Sequence, residues 1–183
     1  MTKKITAPLS EQTVRELAAG DAVSISGIIY TGRDAAHKRL FEAIQAGRPL
    51  PFDLRGAVIY YVGPSPAKPG QVIGSAGPTT SYRMDAYSPL LIEHGLRGMI
   101  GKGNRTQPVI EAMKKFGAVY FAAVGGAAAL IARSIKAARP IAYDELGPEA
   151  VQELRVEEFP AIVINDVHGN DLYEQGVAKY RRE

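Results

Sequence analysis

The sequence predicts an α/β protein: a helix-flanked sheet of mixed direction, parallel in part. Short runs of β-branched and aromatic residues recur along the chain, separated by segments whose apolar residues repeat at helical spacing. Between residues 96 and 136 the order is βαβα, and that order requires crossover connections between parallel strands. The 183 residues are read as one domain, 1–183, large enough to bury a core without disulfides or a structural metal.

Residues 3–9 read as a short extended segment. Ser10 opens a helix with Val14, Leu17 and Ala18 on one face, and Gly20 stops it. Residues 21–30 (DAVSISGIIY) form a strand whose internal Gly27 suggests a bulge. A helix over 33–46 aligns Ala36, Leu40, Phe41 and Ile44, and Gly47 ends it before Pro49. Residues 56–62 (GAVIYYV) form a buried strand. The Pro- and Gly-rich stretch at 63–71 is a loop and a candidate mobile lid.

Residues 72–75 read as a short strand before the Gly77–Pro78 turn. Thr79 or Thr80 then caps a helix to about His94, with Pro89 kinking or splitting it. A strand over 96–100 leads to a helix capped by Thr106, with Pro108 in its first turn, ending at Phe116. A strand over 117–124 follows, and Gly125–Gly126 opens a helix to about Lys136. Ile141 and Tyr143 sit in a short extended piece, residues 151–156 and 161–164 are two strands, His168-Gly169-Asn170 is a turn, and a last helix frays at 181–183.

Composition excludes several classes. The net charge of +3 is close to balance and no aromatic-basic stripe is present, which argues against nucleic acid. No stretch approaches the ~20 apolar residues of a membrane span, and MTKKITAPLSEQ lacks the apolar segment of a secretory signal, so a cytoplasmic protein is the expectation. The chain has no cysteine, hence no thiol nucleophile and no thiolate-held cluster of its own. His37, His94 and His168 have no metal-ligand spacing and read as surface or capping residues; no metal site is expected here.

Four polar islands interrupt the apolar pattern. The first, Tyr30 to Arg39, places Arg33 at a strand end and helix start. It is either a solvated helix N-terminus, or an anion site in which Arg33 and the helix amides hold a carboxylate or phosphate. The second, SAGPTTSYRMD, puts three hydroxyls at a turn, more than capping needs, with Arg83 one helical turn after Thr79. The third, Gly101-Lys102-Gly103-Asn104-Arg105-Thr106, fails the P-loop pattern because Leu96 and Gly103 stand where Gly and Ser or Thr are required, yet its glycines let Lys102 and backbone amides approach an anion. The fourth, Gly125–Gly126, reads as close helix packing. Arg33, Arg83, Lys102 and the Thr79 and Thr80 hydroxyls suit a small di-acid. A strong base, a metal and a nucleophile are missing, so the set looks like half of an active site.

At these residues the chain resembles the β subunit of the class I (iron–sulfur) fumarate hydratase and L-tartrate dehydratase family, equivalent to the C-terminal domain of its single-chain members. The matching pieces are GDAVSISGIIYTGRDAAHKR, SAGPTTSYRMD and the GKGN of GMIGKGN, in the family's order across about residues 20–173. The resemblance implies a swivelling β/β/α domain. It implies Arg33 and Arg83 as substrate carboxylate binders, Lys102 as a further substrate contact and Thr79, with Thr80 beside it, at the position of the catalytic base. It also implies a cysteine-containing α subunit carrying a [4Fe–4S] cluster, in an assembly such as α2β2. The reaction implied is reversible water addition at a small dicarboxylate: fumarate first, with L-tartrate and mesaconate also open. A non-catalytic module binding a small dicarboxylate or phosphate is the alternative of a different class.

Overall fold

The structure is a computed structural model describing residues 1–123 and 128–182. The elements run β1 (Lys3–Ala7), α1 (Glu11–Glu16), β2 (Ala22–Thr31), α2 (Asp34–Gln45), β3 (Val58–Tyr60), α3 (Ser88–Glu93), β4 (Gly98–Gly101), α4 (Gln107–Phe116), β5 (Val119–Ala122), α5 (Ala128–Ser134), β6 (Ile135–Ala142), β7 (Val151–Asn165) and α6 (Leu172–Tyr180). Short 3₁₀ turns lie at Ser81–Met84 and Asp144–Glu149.

The strands hydrogen-bond in the order β1-β2-β3-β4-β5-β7-β6. β1 to β5 are mutually parallel, and β7 runs antiparallel to β2, β5 and β6. β7 pairs with β2 as well as β5, so the sheet returns on itself. This closure explains the alternation within strands. Ile25, Ile29, Val58, Tyr60, Val119, Phe121 and Val163 point into a core between the two parts of the sheet. Ile59, Tyr61, Met99, Tyr120 and Ile164 point the other way, onto Leu40, Leu91, Val109 and Met113 of α2, α3 and α4. Two strand layers and one helix layer result, the β/β/α order that the resemblance implies. Each fully enclosed aliphatic or aromatic side chain contributes roughly 1.5–3 kcal/mol by leaving water.

Local signals behave as chemistry dictates at several ends. The Ser10 hydroxyl accepts from the Thr13 amide at 3.0 Å and starts α1. Gly117 closes α4 in the left-handed region. Gly27 has φ +109°, and a Cβ there would stand 2.2 Å from the Ala7 carbonyl oxygen of the neighbouring strand. The bulge itself falls on the partner: the pairs Ile25–Phe159 and Gly27–Val156 leave two β7 residues opposite Ser26. One of them, Glu158, has φ +53° and donates its amide to the Ser26 hydroxyl at 3.1 Å.

Several sequence expectations are corrected. Residues 72–75 form no strand; their segment is tied back instead, the Ser75 amide donating to the Ser65 hydroxyl at 2.8 Å. The helix expected from Thr79 or Thr80 to His94 is a 3₁₀ turn followed by the separate helix α3, with Pro89 in the first turn of α3. Residues 151–165 are one strand, because the bulge at Glu158 carries the chain on without ending it. Residues 135–142 are an edge strand; the helix before them ends at Ser134. The Gly125–Gly126 packing expectation lies outside the described residues.

Candidate functional site

The parallel strands β2, β3 and β4 are neighbours, so their C-terminal ends open on one edge of the sheet. In α/β folds built on parallel strands, ligands bind outside the carboxyl ends of those strands. All five residues singled out from the sequence lie there. Arg33 follows β2. Thr79 and Thr80 cross the end of β3, where the Thr79 amide donates to the Tyr61 carbonyl at 2.6 Å. Lys102 follows β4 and bridges to Thr80 in parallel register. The Ser81 amide donates to the Lys102 carbonyl at 2.9 Å, and the Lys102 amide to the Thr79 carbonyl at 3.3 Å. Arg83 leaves the 3₁₀ turn and pairs with Asp34 in the first turn of α2, which joins the second island to the first.

The cations differ in their partners. The Arg33 guanidinium lies against the backbone of Gly63, where an added Cβ would meet its Nη1 at 2.5 Å. Its Nη2 stands 3.3 Å from Glu149 Oε1, and the second oxygen of Glu149 accepts from the Ala35 amide at 3.3 Å. Arg33 Nε and Asp34 Oδ1 are buried with no protein partner. Lys102 is exposed and, among the described residues, forms no ion pair. Thr80 is placed to cap the 3₁₀ turn, but its side chain makes no capping bond. A helix cap is therefore not what the second hydroxyl of the pair is used for.

Beneath these side chains lies a polar scaffold that sequence reasoning missed. The Arg105 side chain is fully buried. Its Nε donates to Asp85 Oδ1 at 2.8 Å and its Nη2 to Ser88 Oγ at 2.9 Å, and the guanidinium lies near the rings of Tyr61 and Tyr120. Asp85 Oδ2 accepts the Thr106 amide at 2.6 Å, so Asp85, and not the Thr106 hydroxyl, satisfies the start of α4. Tyr120 donates its hydroxyl to the Gly103 carbonyl at 2.8 Å, which makes Ser81 the donor in their 2.8 Å contact. Burial pushes the Tyr120 phenol up, so that donor stays protonated. Gly101 makes the crossing possible: a Cβ there would stand 2.0 Å from Ser81 Oγ. The segments bearing Thr79, Thr80 and Arg83 and the loop bearing Lys102 are thus fastened to each other from below. Arg105 stood within the third island and Asp85 at the end of the second; their pairing across 20 positions leaves no local trace.

His37 is also corrected. It is completely buried, not on the surface. Its Nδ1 lies 3.0 Å from the Arg33 carbonyl, an acceptor, so Nδ1 carries the proton and Nε2 is left without a protein partner. Burial pushes its pKa down to about 4, and the ring is neutral at pH 7. The Nδ1 and main-chain amide both hold the Arg33 carbonyl, which fixes the backbone that aims the Arg33 side chain.

Two concavities, of about 660 and 510 Å³, are lined by other residues, from Lys3 to Leu17 and from Ser65 to Ile135. Among the described residues no three His, Cys, Asp or Glu side chains are grouped to hold a metal ion. With no cysteine in the sequence, the donors here do not fit an iron–sulfur cluster. No helix among the described residues is long and apolar enough to cross a membrane.

The comparison with known families decides the ancestry. The family model described as Fumarase C-terminus matches residues 2–176. The chain belongs to the fumarase C-terminus family. Within it, the chain is 44% identical over 179 residues to the anaerobic class I fumarate hydratase of Escherichia coli, covering 97% of this chain and 32% of that protein. It is 43% identical over 173 residues to a putative class I fumarate hydratase of Geobacillus stearothermophilus, covering 92% of this chain and 33% of that one. The chain thus spans about a third of the length of these fumarate hydratases. A protein of Methanocaldococcus jannaschii, a putative L(+)-tartrate dehydratase subunit beta, is 42% identical over 173 residues, which cover 91% of this chain and 89% of the relative.

Proposed function

We propose that this chain is the β subunit of a hydro-lyase, acting with an α subunit on a small dicarboxylate, with fumarate and malate as the substrate pair. The observation that carries the reading is the convergence of Arg33, Arg83, Lys102 and two threonine hydroxyls on one sheet edge, in a family whose members are named for fumarate and tartrate hydro-lyases.

Two guanidinium forks at one edge match two carboxylates in geometry as well as charge. In the dehydration direction, a proton leaves the carbon next to a carboxylate and hydroxide leaves the neighbouring carbon. As the first bond breaks, negative charge flows into that carboxylate. Cations already aimed at its oxygens stabilise the developing charge without reorganising. That is the role we assign to Arg33, Arg83 and Lys102. The proton is taken by a threonine hydroxyl, assigned to Thr79, once a group of the α subunit has drawn off the hydroxyl's own proton. The [4Fe–4S] cluster belongs, in this reading, to the cysteine-containing α subunit.

The test is fumarate hydration by anaerobically prepared protein, with this chain alone and co-expressed with its α subunit. Turnover is expected only in the mixture. Arg83→Ala is expected to lower it by about 100-fold or more while leaving the circular-dichroism spectrum unchanged. Wild-type turnover in that variant refutes the site. L-tartrate is the second substrate to assay, because the relative matched over nearly its whole length carries that name.

A further inference from the structure

The two arginines assigned to substrate are not free. Arg83 is paired with Asp34 and Arg33 with Glu149, so each has a counter-charge, whereas Lys102 forms no ion pair among the described residues. The Glu149 contact has an unusual form. Its carboxylate stands 3.3 Å from the Arg33 guanidinium with one oxygen and 3.3 Å from the Ala35 amide with the other. An arginine fork and the first free amides of a helix are how a protein holds a ligand carboxylate. Both distances are longer than the roughly 2.7–2.9 Å of a charge-assisted bond.

Glu149 does not come from the parallel strands that carry the rest of the site. It ends the 3₁₀ turn Asp144–Glu149, between β6 and β7. That turn is backed onto α2 by a second ion pair, Arg39 to Glu145 at 3.2 Å. It includes Gly147 at φ +58° and ψ −120° next to Pro148, with Tyr143 at φ +60° before it. Asp34 is different: it sits on α2 itself, beside Arg33, and moves with the site.

We infer that Glu149 is an affinity-setting residue, an internal carboxylate that holds the substrate's place on Arg33 and is displaced when a dicarboxylate binds. This rests on the reading of Arg33 as a carboxylate binder. The competing role is structural: Glu149 could instead hold Arg33 in its working orientation. The two roles give opposite signs. A place-holder competes with substrate, so removing its charge tightens binding. A positioning residue supports the cation, so removing its charge weakens binding.

Glu149→Gln keeps an acceptor for the Ala35 amide and removes the charge. The pair is about a quarter exposed on each side, so the effect expected is modest, about two- to fivefold. In the assembled enzyme, KM for fumarate is expected to fall by that factor with kcat within twofold of wild type. Glu145→Gln loosens the same turn without touching Arg33 and is expected to leave KM unchanged. A KM for Glu149→Gln that is unchanged or raised overturns the inference, and so does an equal fall in Glu145→Gln. A second readout is independent of turnover: calorimetric titration of the assembled complex with succinate, a dicarboxylate that cannot be dehydrated. Tighter succinate binding by Glu149→Gln supports the inference even if fumarate is not the substrate. Unchanged, weaker or undetectable succinate binding by both proteins overturns it. Succinate binding without fumarate turnover separates failure of the hydro-lyase reading from failure of this one.

Discussion

Removing the Asp85 carboxylate tests whether the buried scaffold really holds the site. Asp85→Ala takes away two things. It leaves the fully enclosed Arg105 guanidinium without its counter-charge, and stranding a buried charge costs about 3–5 kcal/mol. It also removes the acceptor of the Thr106 amide at the start of α4, a loss of about 1 kcal/mol. Ser88 and the rings of Tyr61 and Tyr120 stay in place around the guanidinium and offset part of the first figure. The net loss expected is about 4 kcal/mol, a large share of the 5–15 kcal/mol that folded domains have. Asp85→Ala combined with Arg105→Met removes the stranded charge and fills the slot with a flexible apolar chain, so most of the loss returns and the two sites couple by about 2 kcal/mol or more. The assay is urea unfolding of the chain at pH 7 followed by circular dichroism, on wild type, both single variants and the pair. A loss below about 1.5 kcal/mol in Asp85→Ala, or a double variant no more stable than Asp85→Ala, refutes the argument.

Three further outcomes are expected. His37 is held neutral with its pKa pushed down to about 4 from the 6.5 of a free imidazole; the unfolded chain therefore takes up a proton that the folded one refuses. Its contribution is complete above about pH 6.5 and is lost as pH falls toward 4, by about 2–3 kcal/mol; His37→Gln is expected to flatten that part of the stability profile, and an unchanged profile refutes the assignment. Gly101→Ala pushes a methyl into Ser81 and Tyr61 and is expected to cost about 1–3 kcal/mol in urea unfolding, whereas Gly176→Ala, in the α6 helix with nothing within 4 Å of the new methyl, is expected to gain about 0.5–1 kcal/mol; equal effects refute the clash. Thr79→Val is expected to lower turnover of the assembled enzyme by about 100-fold or more and Thr80→Val, whose methyl already packs toward Gly103, by only a few-fold; the reverse order moves the base to Thr80.

The parts of the site legible in the sequence were those where polar residues break an apolar pattern. Arg33 was conspicuous because a cation at a helix start is unfavourable without an anion beside it, and the structure supplies Glu149 as that anion. Arg83, Lys102 and the two threonines were conspicuous because glycine, proline and hydroxyls mark chain ends at strand termini. What stayed hidden was long-range pairing. Nothing near Arg105 announces Asp85, and nothing near Glu149 announces Arg33, because each pair is made by strand order and not by spacing along the chain. His37 was misjudged for the same reason: the ring makes a T-shaped contact at 5.1 Å with Tyr61, which follows β3 and lies 24 positions further along the chain. In the fold, helix α2 followed from periodicity and α4 from Thr106 and Pro108 at its start, while β6 was obscured by its Lys136, Arg139 and Pro140, residues tolerated because that strand is an outer one.

Among the described residues, the closure of β7 onto β2 leaves β1 and β6 as the strands with an unpaired flank in the strand order. β1 carries Lys3 and Lys4, and β6 carries Lys136, Arg139 and Pro140. Lys3 and Lys4 pair with Asp21 and Glu158, and Arg139 with Glu153, so a second copy of either strand would have to displace hydrated charged groups, and proline offers it no amide. Both rims are therefore protected against stacking into longer ribbons. At high concentration these edges discourage strand-to-strand aggregation between copies of the chain, which favours contact through side-chain surfaces over backbone ladders.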